Sequence, residues 1–368
     1  MDETAAVLGV DREIYRELFA PLASGWRDLE GELFGPLIHL PRHPLVLARF
    51  GLQGLRSARG FARARFASER TRALFAGAAA HSSLPLEGTA SASFGLILLL
   101  LAHVTGWPFP RGGSQAIADA LAGRLRSLGG EIETGREVTA LRELPRSKLV
   151  LCDVSPRQLV RIGHDVLPSW YRRRLERWRH GPGVFKLDYA LDGPIPWRAP
   201  EIAEAGTVHL GGSTAEIAES EGAPWQGRHA ERPFVLLAQQ SMFDDTRAPA
   251  GKHTAWAYCH VPNGSAVDMR DRVDSQIERY APGFKKRILA CTAQTTRDLE
   301  RKNANLVGGD ISGGANTLSQ LVARPTLRPI PYSTPLRWLY LCSASTPPGG
   351  GVHGLCGHLA AAAALKRA

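Results

Sequence analysis

The stretch RWLYLCSASTPPGGGVHGLCGHLAAAAALKRA, residues 337–368, decides the fold of this chain. Its segment Leu339–Cys342 is a short apolar run of the kind found in buried parallel strands. Ser343–Gly351 is a turn of small residues, and Gly354–Lys366 predicts an alanine-rich helix that ends in basic residues. A strand, a glycine turn and a helix start in this order predict a site for an anionic or electron-rich group, because backbone N–H groups converge there.

Three of the glycines in this stretch, Gly349, Gly351 and Gly354, have the spacing G-x-G-x-x-G. In a dinucleotide-binding unit that fingerprint opens a helix, a second strand and an acidic residue about 20 positions later. The present sequence ends within that distance. The glycine turn is therefore predicted to close a site that begins elsewhere in the sequence.

Composition predicts a globular chain of two lobes, since its 368 residues are 44% hydrophobic and 22% charged. The net charge of +10 comes largely from arginine, which outnumbers lysine 38 to 7 and indicates genomic base composition more than a nucleic-acid partner. Five scattered cysteines without a C-x-x-C pair favour a reducing compartment. With no signal-peptide pattern at the N-terminus and no apolar run of bilayer length, we predict a cytoplasmic chain that at most contacts a membrane from one side.

Residues 1–105 read as a helical cap. Within residues 33–80, eight arginines and several large apolar residues occur with one acid, Glu69. One interpretation is a cap with a solvated basic face, and the other is a basic amphipathic surface that lies on a membrane.

Residues 106–160 and 331–368 are predicted to form a discontinuous α/β layer. Gln115–Leu128 predicts a helix, and Glu131–Leu141 and Lys148–Asp153 predict two strands. Residues 161–330 contain apolar strands at turn-punctuated intervals, which predict an antiparallel sheet in a second lobe.

Two motifs in these segments resemble a known family. The terminal LYLCSASTPPGGGVHGLCG is similar to the C-terminal flavin-binding signature of the phytoene desaturase and carotenoid isomerase family, and GWPFPRGGSQAIADALAGRLRSLGGEIETGREV is similar to an internal segment of that family. The resemblance implies a mixed α/β fold with a glutathione-reductase-like, Rossmann-like FAD-binding domain and an antiparallel substrate domain with a helical cap. It implies an FAD-dependent oxidoreductase.

The same resemblance assigns cofactor contacts. Glycines 350 and 351 and Val352 would face the isoalloxazine ring, Ser343 and Ala344 would lie near the ribityl–phosphate portion, and the backbone of Val138 would contact the adenine. The implied cofactor-binding set is Gly112, Gly113, Val138, Ser343, Ala344, Gly349, Gly350, Gly351, Val352 and Gly354.

The sequence departs from the family at its start. Family members open with a G-x-G-x-x-G strand, turn and helix, and the first hundred residues here contain no such motif. We therefore expect an incomplete FAD-binding domain, as in an N-terminally truncated relative, and weak binding of FAD. The family's two N-terminal strands lie between the Val138 strand and the Leu149–Cys152 strand, so their neighbours would close up or leave open edges.

Other side-chain chemistry is weakly indicated. His353 in the glycine turn, and His253 and His260 on a predicted strand, are expected to be hydrogen-bonded structural histidines more than catalytic ones. No metal-ligand spacing and no G-x-S-x-G motif occurs. The resulting hypothesis is hydride transfer from an apolar, isoprenoid- or carotenoid-like small molecule to flavin, with no catalytic residue nominated. The alternatives are an inactive, non-enzymatic fragment and a protein that binds a membrane surface or a partner.

Overall fold

In the computed structural model, which describes residues 1–368, the first hundred residues form helices and no strand. The helices of the chain are α1 Asp2–Ala6, α2 Arg12–Ser24, α3 Trp26–Leu33, α4 Pro44–Gly54, α5 Ala58–Arg65, α6 Glu69–Ala79, α7 Ser91–Val104, α8 Gln115–Ser127, α9 Pro156–Ile162, α10 Ser169–Glu176, α11 Thr214–Gly222, α12 Arg270–Tyr280, α13 Phe284–Arg287, α14 Thr296–Lys302, α15 Leu318–Val322 and α16 Leu355–Leu365. The strands are β1 Val150–Cys152, β2 Gly183–Leu191, β3 Thr207–Leu210, β4 Val235–Ala238, β5 His253–Val261, β6 Ile288–Gln294 and β7 Leu339–Leu341.

The N-terminal helices enclose a core of 24 buried residues, to which α11 and Phe234, the residue before β4, also contribute. Helices α6 and α7 approach closely at Gly95, where an added Cβ would lie 2.9 Å from the ring of Phe75. The Phe75 ring is fully buried and packs 4.8 Å from that of Phe61, centroid to centroid. The inner face of the apolar helix α7 supplies part of this core.

Five strands form an antiparallel sheet in the order β3-β4-β5-β2-β6. This arrangement confirms the predicted antiparallel sheet. Strand β6 lies at one edge of the sheet and pairs with β2. One face of the sheet packs on α12 and encloses a second core of 18 residues.

The two remaining strands, β1 and β7, form a parallel pair in which Val150 lies opposite Leu339. Helices α9 and α10 cover one side of the pair. Helix α16 covers the other side through Ala360 and Ala364, which pack with Tyr340. All three residues of β7 are buried, which confirms the predicted buried parallel strand. The fold is the expected mixed α/β architecture, with parallel and antiparallel sheets.

The region between α7 and β1 differs from the sequence prediction. Helix α8 forms as predicted, but none of its residues is buried. The predicted strand Glu131–Leu141 is wrong, since those residues form no strand and most of them are exposed. A strand needs a neighbour to accept its backbone hydrogen bonds, and β1 pairs with β7 alone.

The longest apolar helix, α7, has 14 residues, and no helix meets both the length and the hydropathy needed to cross a membrane.

Candidate functional site

The glycine turn between β7 and α16 is the centre of the candidate site. Its first glycine, Gly349, is buried, whereas Gly350 to Gly354 are exposed and Val352 is 90% exposed. Helix α16 begins after Gly354, whose φ is +65° and which contributes no side-chain cap. The helix start therefore presents backbone to its surroundings, with the N–H of its first residue, Leu355, donated to the His353 side chain.

A buried arginine holds the turn in place. Arg324 is 1% exposed, and its guanidinium donates to the carbonyl oxygen of Ala344 over 2.8 and 3.1 Å and to that of Ser312 over 2.8 Å. Burial lowers the pKa of Arg324 to about 10, against the opposing effect of Asp310. The sequence analysis missed this residue, because a single arginine among prolines carries no periodic or motif signal.

A second glycine loop, Ser312 to Gly314, packs against the same turn. An added Cβ at Gly313, whose φ is +71°, would lie 2.7 Å from the Cβ of Ala344. The Gly313 carbonyl accepts hydrogen bonds from the Ser345 hydroxyl over 2.6 Å and from the Trp178 indole over 3.2 Å. Only glycine permits this close contact, so the two loops form one rigid backbone platform.

This platform fits the flavin-facing part of an FAD site. Exposed glycine backbone beside a helix start is the arrangement that suits an electron-rich ring or an anionic group. Ser343 and Ala344, predicted near the ribityl–phosphate portion, lie in this platform, where Ser343 is 5% exposed and Ala344 is half-buried.

The other residues of the predicted cofactor-binding set are Gly112, Gly113 and Val138, which precede β1 in the sequence. Gly112 donates its N–H to Asp244 over 2.7 Å and accepts from Arg247 over 2.6 Å, and Gly113 packs on the same guanidinium. Val138 is half-buried but belongs to no strand. The structure thus brings the terminal residues together and leaves the predicted adenine contact without its strand.

The second face of the antiparallel sheet adds a surface that the sequence analysis did not assign. On β5, alternate residues such as Ala257 are buried in the core, and Trp256 and Tyr258 on the opposite face are half-buried. Their rings are nearly parallel, 6.1 Å apart, and the Lys186 ammonium lies 6.0 Å from the Trp256 ring. The alternation of small and aromatic residues in HTAWAYCHV was the available signal.

One end of this face carries a buried polar chain. His260 Nδ1 lies 2.7 Å from Glu221, and its Nε2 lies 3.2 Å from the hydroxyl of Ser83. Burial alone would lower the pKa of His260, but the charge and hydrogen bond of Glu221, with Asp310, raise it above the usual value. His260 therefore joins the sheet, α11 and the cap, which confirms the expectation of a hydrogen-bonded structural histidine.

The remaining predicted histidines also have local partners. The backbone N–H of Leu355 donates to His353 Nδ1 over 3.0 Å, as expected for a histidine beside a helix start. His253 Nδ1 lies 3.2 Å from the Ser241 hydroxyl. Neither contact indicates an acid or base at the platform.

Comparisons with known proteins extend this description. No family model matches the sequence. Pyridine nucleotide-disulfide oxidoreductase domain-containing protein 2 of Rattus norvegicus is 30% identical over 309 residues, which cover 72% of this chain and 53% of the relative. Phytoene dehydrogenase of Streptomyces griseus is 30% identical over 241 residues, which cover 60% of this chain and 44% of that protein. The chain therefore spans about half the length of these curated relatives.

Among solved structures, an oxidoreductase from Methanosarcina mazei matches all of this chain and 75% of its own, with a TM-score of 0.62 and 14% identity. At that identity the match shows a shared fold.

Proposed function

From the premise that this chain is a relative of the phytoene desaturase family of FAD-dependent oxidoreductases, we propose that it forms the flavin-facing and substrate-facing part of such an enzyme. The observation that carries the proposal is the exposed glycine turn, Gly350–Gly354, at the start of α16. Arg324 and the Gly313 loop fix this turn from behind, so its backbone is positioned before any ligand arrives.

FAD, when bound, would accept a hydride from a C–H bond of the substrate. The tasks of the chain are then to orient the substrate and to exclude water. The half-buried aromatic face of β5, with Trp256 and Tyr258, suits an extended apolar molecule of the isoprenoid or carotenoid type. Burial raises the pKa of Tyr258, so its phenol stays neutral and uncharged against such a molecule.

The affinity of this chain for FAD is expected to be weak. The turn supplies contacts to one end of the cofactor, whereas Val138 lies outside any strand and Gly112 is bonded to Asp244 and Arg247. Affinity falls tenfold for each ~1.4 kcal/mol of lost contact energy. Saturable binding in the micromolar range or weaker is the expected result.

A titration of flavin fluorescence with the purified chain tests the proposal. Gly350→Val should remove binding, because its side chain would cover the turn and its Cβ would lie 3.1 Å from the Ser312 carbonyl oxygen. Gly31→Val is the matched control, since that glycine lies on α3 with open space around it. Equal binding by the Gly350 variant would contradict the assignment of the turn, and a purified protein that carries stoichiometric yellow flavin would contradict the weak affinity.

A further inference from the structure

A groove with a volume of about 390 Å³ lies where the cap meets edge strand β3 of the antiparallel sheet. Helix α6 forms one wall, and α1, α11 and the end of β3 contribute to the others. Neither the glycine turn before α16 nor β5 supplies a lining residue. A groove of this size can hold a small organic molecule.

One face of α6 runs along the groove. Arg70, Leu74 and Gly77 line it and occupy positions i, i+4 and i+7, so they lie above one another on the helix. Another face of the same helix places Phe75 in the cap core, which fixes α6 in position. From Arg70 to Gly77 the helix rises by ~10 Å, which gives a length scale for a ligand that contacts both ends.

Large apolar side chains make up much of the groove wall. They come from α6, α11 and the segments that follow α1 and precede β4, and they are Leu8, Leu74, Ile217 and Phe234. Contact with an apolar chain would remove this surface from water, which favours a ligand whose central part is apolar.

A histidine with a free ring nitrogen lies beside Gly77. A Cβ added at Gly77 would lie 3.5 Å from Nδ1 of His209. Nε2 of this ring lies 2.9 Å from Nε2 of His81, and Nδ1 has no hydrogen-bond partner in the protein. Desolvation of the ring lowers the pKa of His209 to about 4, so the imidazole is neutral at pH 7. A ligand hydroxyl suits this nitrogen in both tautomers, because a hydroxyl can donate and accept.

An arginine without a partner lies two turns along α6 from Gly77. Arg70 is exposed and forms no ion pair. Two acids beside the groove have other partners, since Glu69 accepts from the Thr214 N–H over 2.7 Å and Glu216 pairs with Arg279 over 2.8 Å. The charge of Arg70 is therefore available to a ligand. One guanidinium balances one negative charge and matches the geometry of a carboxylate.

We propose that this groove binds a linear apolar monocarboxylate that carries a hydroxyl group at its far end. Arg70 binds the carboxylate, the apolar chain lies along Leu74 and Phe234, and Nδ1 of His209 bonds to the hydroxyl. An extended eight-carbon chain has about the length of two turns of α6. This binding needs no FAD and does not rest on the proposed function.

Isothermal titration calorimetry of the purified chain with 8-hydroxyoctanoate tests the proposal. One molecule should bind per chain. Octan-1-ol, which lacks the carboxylate, should bind at least about tenfold more weakly, because a charge-assisted hydrogen bond is lost. Octanoate, which lacks the hydroxyl, should bind about threefold more weakly or worse, because a neutral hydrogen bond is lost.

Two variants test the two ends of the groove. Arg70→Gln should weaken the binding of 8-hydroxyoctanoate at least about tenfold. Gly77→Ala should weaken it about threefold or more, because its methyl group would lie against Nδ1 of His209 at an ordinary contact distance that the fold tolerates. The matched controls are Arg63→Gln, an exposed arginine of α5 outside the groove, and Gly51→Ala, a glycine of α4 with open space around it. Both controls should bind as the wild type does.

Several outcomes would overturn the proposal. They are no saturable binding by the wild type, unchanged binding by Arg70→Gln, and equal binding of octanoate and 8-hydroxyoctanoate. Sedimentation velocity without ligand tests another occupant, because a dimer that Arg70→Gln dissociates would assign the groove to a second copy of this chain. Circular dichroism of every variant checks that it is folded.

Discussion

The helical cap and helix α8 both have regular amphipathic patterns, but only the cap helices bury their apolar faces. In the cap, helices such as α6 and α7 bury their apolar faces in a core of 24 residues. Helix α8 is also amphipathic, yet none of its residues is buried, and Leu121 within it and Leu128 just after it are each 67% exposed. Amphipathic spacing therefore predicts the helix, and only a neighbouring element decides whether the helix is packed.

The same contrast separates the two sheets. Strand β5 has neighbours on both sides, and its core-facing residues are buried. Strand β1 has one neighbour, and Leu151 at its centre is 37% exposed. Residues 131–141 have no neighbouring strand and form none. We conclude that the cap and the antiparallel sheet provide most of the free energy of unfolding, and that residues 115–141 contribute little.

The largest expected effect comes from the packed region. Phe75→Ala removes a ring that packs on Phe61, Phe66 and the close approach at Gly95, so it should lower the free energy of unfolding by about 3–5 kcal/mol. Urea unfolding followed by circular dichroism measures the loss.

The double variant Leu121→Gln/Leu128→Gln is the comparison for this experiment. It should change the free energy of unfolding by no more than about 0.5 kcal/mol, since both side chains are largely solvated. A loss similar to that of Phe75→Ala would show that α8 belongs to the packed region.

A smaller, pH-dependent effect is expected where the cap meets the sheet. Glu221→Gln removes the charge that keeps His260 protonated and should destabilise by about 1–3 kcal/mol at acid pH. Because the pKa of His260 is raised in the folded state, this stabilisation is complete below about pH 6.5, the unfolded value, and is lost as pH rises through the folded value.

Unfolding curves across the neutral range check the sign of that dependence. The difference between wild type and Glu221→Gln should shrink as pH rises. The control is Glu219→Gln, two residues before Glu221 on α11. It removes an exposed ion pair with Arg228, so it should change the free energy of unfolding by less than about 1 kcal/mol. A difference that grows with pH would contradict the protonated state of His260.

Much of the fold follows from local patterns. Apolar strands at turn-punctuated intervals predicted the antiparallel sheet, and the apolar run from Leu339 predicted a buried strand. The prediction of a strand at 131–141 was wrong for a physical reason, because the backbone hydrogen-bond partners of a strand must come from another segment of the sheet. Local sequence does not show whether such partners exist.

In the candidate site, too, some features could be predicted from the sequence and others could not. The glycine turn was predictable, because its glycines are contiguous and precede a helix. Arg324 and the Gly313 loop were not, because their role depends on contacts with Ala344 that lie 20 or more residues away in sequence. The chain Glu221–His260–Ser83 likewise joins three distant segments that no spacing rule connects.

The smallest expected change in the free energy of unfolding comes from substituting a helical glycine in each of the two regions. Both Gly51 of α4 and Gly123 of α8 have open space around an added Cβ, so alanine fits at either position. Alanine favours a helix over glycine by about 1 kcal/mol. Gly51→Ala should raise the free energy of unfolding by most of that amount, since α4 unfolds with the cap core through Phe50. Gly123→Ala should leave global unfolding unchanged and slow hydrogen exchange of the α8 amides about fivefold, because a helix without buried residues opens independently of the core. Equal global stabilisation by the two substitutions would show that α8 is coupled to the rest of the molecule.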